Sequence, residues 1–172
     1  MIPLDLTKRE NMLLYFALKE KHGYTLGDNR NIMIHTISCA LEPYVKTRST
    51  IIIPESSSDF IFKVVKNLGK DIRIAKKNNI QYFKDLSPTL GLQKAELRSH
   101  LERMEEMGDT FKINMLKATQ RTKYIEHLFT RTVVKQNSII IDDSNFSGST
   151  RDALIFSTKI NNYIPIFSKD KL

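Results

Sequence analysis

Asp142 and Asp143 stand side by side after the three isoleucines Ile139, Ile140 and Ile141, and ahead of the run Ser144-Asn145-Phe146-Ser147-Gly148-Ser149-Thr150. Three β-branched apolar residues in a row predict a strand over residues 138–141, buried on both faces. The two carboxylates are then expected at its carboxyl end, open to solvent or a ligand, with no basic residue close in sequence to pair them. Carboxylates so placed can accept hydrogen bonds from vicinal sugar hydroxyls. The residues that follow suit an anion. Gly148 lets the backbone approach a ligand closely. Ser147, Ser149 and Thr150 add hydroxyls beside the free N–H groups of a helix predicted over about residues 150–160. A helix cap after a strand that happens to end in two acids is the plainer alternative.

An earlier stretch has a similar form. Ser49-Thr50-Ile51-Ile52-Ile53 is a β-branched run stopped by Pro54, and Glu55-Ser56-Ser57-Ser58-Asp59 follows at once. Hydroxyl and N–H donors clustered after a strand can hold a diphosphate. They can also cap the helix predicted over residues 60–68, which Gly69 would stop. The next predicted strand, residues 71–75, is closed by Lys76 and Lys77, two cations that either face an anion or are simply solvated.

The stretch from Ser138 to Thr150 resembles the ribose-5-phosphate-binding motif of type I phosphoribosyltransferases: an apolar strand, two acids, three variable residues, Ser/Thr-Gly, one residue, Ser/Thr. Residues 51–58 are similar to the pyrophosphate loop of that superfamily, and look most like the competence-type and phage-encoded members. Arg121 through Phe129 resembles the Arg-then-Phe stretch before the motif strand in competence-type members, although Ile125 and Phe129 read equally as packing residues. The resemblance covers about residues 32–168. It implies an α/β fold, a mostly parallel doubly wound sheet with a helical insertion, and transfer of ribose 5-phosphate from phosphoribosyl pyrophosphate to a nitrogen acceptor, or the reverse.

It further implies that Asp142 and Asp143 are the catalytic pair, holding the ribose hydroxyls and offsetting charge on a cationic sugar. Ser144, Asn145, Phe146, Ser147, Gly148, Ser149 and Thr150 would grip the 5′-phosphate. Glu55, Ser56, Ser57, Ser58 and Lys76 would face the pyrophosphate. Mg²⁺ is the implied cofactor, carried mainly by the substrate, with Asp142 and Asp143 as its candidate protein contacts. A homodimer is compatible with this. The alternative is a non-catalytic relative that binds a nucleotide, or nucleic acid non-specifically, through a basic surface.

The elements that must position these residues follow from patterning. Thr7-Lys8-Arg9-Glu10 has the form of a capping box ahead of the apolar run 12–18. A second helix is predicted over residues 32–44, with Ile34, Ile37, Ser38 and Leu41 on one face and Pro43 near its end. From Phe83 to Lys123 the β-branched runs disappear. Leu97, Leu101 and Met104 space as one helical face, and a further helix is predicted over residues 111–119, so this segment reads as a helical insertion or lid. Residues 163–167 are the last predicted strand. The 172 residues, 41% hydrophobic, make one domain. Net charge is +8, and the excess is confined to residues 61–137, with 16 basic against 8 acidic side chains. Such an excess suits a phosphate-rich partner. One cysteine, Cys39, excludes an internal disulfide, and its apolar neighbours predict a buried thiol. The four histidines lack ligand spacing. The run 12–18 is too short to cross a bilayer, so a reducing cytoplasm is the expected setting.

Overall fold

The computed structural model describes residues 2–56, 58–134 and 137–169. Five parallel strands form one sheet in the order β1-β5-β4-β2-β3: β1 (Leu4–Asp5), β2 (Thr50–Pro54), β3 (Asp71–Ala75), β4 (Ser138–Asn145) and β5 (Tyr163–Ser168). Seven α-helices are present among the described residues: α1 (Arg9–Leu18), α2 (Asn29–Val45), α3 (Phe60–Lys66), α4 (Ile80–Leu86), α5 (Lys94–Glu106), α6 (Ala118–Arg121) and α7 (Ser149–Thr158).

The isoleucine runs explain why helices cover both faces. Ile51 sits opposite Ile139 and Ile72 across the sheet. Ile51, Ile53, Ile139 and Ile141 pack into one core with Leu18, Ile37, Leu41 and Val64 from α1, α2 and α3. Ile52 and Ile140 point the other way, into a second core with Phe83, Met104, Tyr124 and Leu154. Strand residues alternate between faces, so a strand with apolar residues at every position needs a helical layer on each side. The middle segment supplies much of the second layer: Met104, Met107, Phe111 and Leu116 are all buried there.

Several local expectations change. Thr7 does not cap α1. The helix starts one residue later, with Lys8 at the cap position, and the Thr7 N–H and hydroxyl both donate to Asp5 Oδ1, at 2.8 and 2.7 Å. The two-residue strand β1 was too short to carry a pattern, and it joins the sheet edge through Leu4 opposite Phe167. Residues 111–119 do not form one helix. A 3-10 turn (Ile113–Met115) and the short α6 replace it, because Phe111 stacks on Phe83 at 3.7 Å between ring centroids and Leu116 must also reach the core. Cys39 is exposed rather than buried: the face of α2 that packs carries Ile34, Ile37, Ser38, Leu41 and Val45, and Cys39 lies off it. β4 runs through the acid pair to Asn145, since its ladder with β5 continues to Ser144 opposite Phe167 and Asn145 opposite Ser168. No helix among the described residues is long and apolar enough to cross a membrane.

Candidate functional site

From β2 the chain moves outward to β3, whereas from β4 it moves the opposite way to β5. Between two such strands the connections part and leave a crevice at their carboxyl ends, the usual ligand position in open parallel sheets. A cleft of about 930 Å³ lies there. Glu55 and Ser56 enter it from the end of β2, and Ser144 to Gly148 with Thr150 from the end of β4. Lys77 and Asn78 line it beyond β3, and Tyr15 and Lys21 reach it from the α1 side.

The phosphate-type loop is short. After Asn145 only Phe146, Ser147 and Gly148 precede α7. Asn145 Oδ1 accepts from the Gly148 N–H at 3.0 Å, which folds the loop back on the strand end. Gly148 sits at φ +74°, a backbone requirement for glycine; a Cβ there would lie 3.3 Å from Nη2 of the movable Arg151 side chain. The ten-residue α7 opens directly after it, with Ser149 and Thr150 in its first turn and Thr150 facing the cleft. Phe146 is 41% exposed, its ring edge-on to Tyr15 at 5.6 Å.

The acid pair departs from expectation. Asp142 and Asp143 are only 3% and 7% exposed, and neither lines the cleft. Asp142 Oδ1 accepts from the Asp143 N–H at 2.7 Å, and Oδ2 from the Tyr163 hydroxyl at 3.0 Å. Burial, and then the charge of Asp143, pushes its carboxyl up to about 7. Asp143 is paired with Lys19, the residue that ends α1, and its other oxygen accepts from Ser144 Oγ at 2.8 Å. Burial works to lower the Lys19 ammonium, but the Asp143 carboxylate and the Tyr15 oxygen outweigh it and hold the group above its usual value. The expectation of solvent-exposed, unpaired acids is therefore corrected: the partner comes from a helix more than a hundred residues away.

The second loop divides its labour. Ser56 faces the cleft, and its hydroxyl accepts from the Ser58 N–H at 3.3 Å. Ser58 instead turns to the Phe60 N–H at the start of α3 and does not line the cleft. Glu55 Oε2 accepts from the Lys77 N–H at 2.9 Å, tying the ends of β2 and β3 together. Ser57 lies outside the described residues. Lys77 lines the cleft and Lys76 does not; the Lys76 carbonyl pairs with the Thr130 N–H. Lys21 also faces the cleft. Its ammonium is lowered by burial and then by its cationic neighbours Lys19 and Lys77.

No family model, curated protein or solved structure matches the chain. The site therefore rests on its own geometry. Tyr15 and Lys21, which line the cleft, and Lys19, which pairs with Asp143, are positions of the candidate site that sequence reasoning missed. Their only signal was the recurrence of polar groups along an otherwise apolar helix, and nothing in the sequence paired that helix with β4.

Proposed function

We propose that the chain binds phosphoribosyl pyrophosphate in the cleft between β2 and β4 and acts as a phosphoribosyltransferase of the type I class. One observation carries the reading: the two loops that resemble the family's pyrophosphate and ribose-phosphate loops, about ninety residues apart, line the same cleft at the switch point of the sheet. Within this reading the start of α7, with the Ser147 and Thr150 hydroxyls and the N–H groups of its first turn, holds the 5′-phosphate, and Gly148 provides the turn that leads into it. Ser56, Lys21 and Lys77 face the diphosphate, and the Lys21 ammonium, lowered by burial and by its cationic neighbours, gains from an anion beside it.

The chain's own residues do not fit a resident Mg²⁺. No group of three or more His, Cys, Asp or Glu side chains suited to a metal occurs among the described residues. Asp142 and Asp143 also spend their oxygens on Tyr163, Lys19 and Ser144. Magnesium enters this account only as the counterion of a diphosphate substrate.

A second reading, a non-catalytic nucleotide-binding relative, is favoured by the same pair. Lys19 neutralises Asp143, and Asp142 is protonated over much of the range below pH 7. That leaves little negative charge to meet a cationic sugar. Incubation with phosphoribosyl pyrophosphate and each of adenine, guanine, hypoxanthine, uracil and orotate separates the two. Formation of a nucleoside 5′-monophosphate supports transfer. Saturable binding without turnover supports the non-catalytic reading, and absence of binding removes the transferase reading.

A further inference from the structure

A closed ring of hydrogen bonds lies at the cleft floor, built from α1 and β4. Lys19 Nζ donates to Asp143 Oδ2 and, at 3.3 Å, to Tyr15 Oη. Ser144 Oγ donates to Asp143 Oδ1, and Tyr15 Oη meets Ser144 Oγ at 3.1 Å, closing the ring. Proton counting fixes its direction. A hydroxyl carries one proton and two lone pairs. The Ser144 proton goes to the carboxylate, so Ser144 Oγ must accept from the Tyr15 O–H. The Tyr15 oxygen in turn accepts from the Lys19 ammonium. Burial, followed by the charge of Asp143, raises the Tyr15 phenol, which keeps its proton in place.

The hydroxyl protons of the ring are thus committed inward. Tyr15 and Ser144 nevertheless both line the cleft. Each oxygen retains one lone pair, and the two oxygens are 3.1 Å apart. A ligand group meeting them has to be a donor, and adjacent hydroxyls on one sugar ring can meet both. Asp143 does not make that contact itself, because it is buried behind the cleft surface.

Resting on the ligand reading above, we propose that Tyr15 and Ser144 recognise the vicinal hydroxyls of the ribose as a pair of acceptors, Tyr15 taking the 2-hydroxyl and Ser144 the 3-hydroxyl, polarised from behind by Asp143. Lys19 is a positioning residue: it fixes the Asp143 carboxylate and the Tyr15 oxygen in one geometry. The ligand class is a ribosyl phosphate with its 2- and 3-hydroxyls free, in preference to a deoxyribosyl one.

Calorimetric titration of ribose 5-phosphate and of 2-deoxyribose 5-phosphate tests this with wild type, Tyr15→Phe, Lys19→Met and Lys19→Arg. The Tyr15 ring packs edge-on against Phe146 and Phe167, at 5.6 and 5.3 Å, and phenylalanine keeps those contacts. Wild type should prefer ribose 5-phosphate by about tenfold, the worth of one such hydrogen bond. Tyr15→Phe should bind both sugars equally, at the wild-type affinity for the deoxy form. Lys19→Met should lose the preference and Lys19→Arg should recover it. Thermal unfolding checks that each variant is folded, and Tyr15→Phe alone decides the matter if Lys19→Met is not. Equal affinity for the two sugars in wild type, or a preference that survives in Tyr15→Phe, overturns the proposal and leaves the ligand reading intact. No binding of either sugar to wild type removes the ligand reading itself.

Discussion

Replacing Asp142 by asparagine should change stability in a way that depends on pH. In the folded chain its carboxyl is pushed from 3.8 up to about 7, by burial first and by the neighbouring Asp143 charge second; the Tyr163 and Asp143 N–H hydrogen bonds oppose this. The folded state therefore holds the proton more tightly than the unfolded state. Its contribution is fully present below about pH 4 and is lost as pH rises towards 7. At about 1.4 kcal/mol per pH unit the whole loss is about 4 kcal/mol, of which about 3 kcal/mol falls between pH 5 and 8. Asparagine keeps the shape without the titration. Its Oδ1 can accept the Asp143 N–H while its Nδ2 donates to the Tyr163 oxygen. Urea unfolding of both proteins at pH 5 and pH 8 measures the effect, and taking the difference between them cancels the titrating groups that do not interact with Asp142. The stability of Asp142→Asn relative to wild type should rise by about 3 kcal/mol from the lower to the higher pH. An offset that stays constant would refute the reasoning, because Asp142 would then titrate no differently in the folded and unfolded chains.

The other predictions concern its neighbours. Asp143→Asn should destabilise by about 3–5 kcal/mol in urea unfolding at pH 7, since it leaves the buried Lys19 ammonium without a countercharge. Adding Lys19→Met to it should recover part of that loss. Gly148→Ala should cost about 1–2 kcal/mol for the left-handed backbone at φ +74°, and should weaken inorganic phosphate binding in the same titration format. Lys21→Ala and Lys77→Ala should each reduce diphosphate affinity by about tenfold. Their unfolding midpoints should change little, because surface substitutions outside the core are usually within about 0.5 kcal/mol.

The parallel core of the sheet was legible because each central strand is a continuous β-branched run, a pattern that only a two-sided layer can bury. Residues 51–53 and 139–141 show it, and their short joints to α3 and α7 carry the direction of the chain. The loop after β2 was legible for the same reason, since the cleft begins at Glu55 where the apolar run ends, whereas on β4 it begins only at Ser144, beyond the buried acid pair. What β1 does was not legible, because two residues have no period. The folding of residues 111–119 was set by where Phe111 and Leu116 had to go, which local spacing does not reveal. The same holds for the acid pair. Adjacent carboxylates after a strand read as exposed when only the chain neighbourhood is visible. Their burial depends on Lys19 and Tyr163 and on strand pairing that continues past the isoleucines to Asn145.

The central claim is that phosphoribosyl pyrophosphate occupies the cleft between β2 and β4. Isothermal titration of that compound into the wild-type chain at pH 7 with Mg²⁺ present, repeated with Gly148→Ala, tests it most directly. The account predicts saturable binding with one ligand per chain, displaced by ribose 5-phosphate and weakened by at least about tenfold in the variant. Absence of binding at millimolar ligand, or binding that Gly148→Ala leaves untouched, would contradict it.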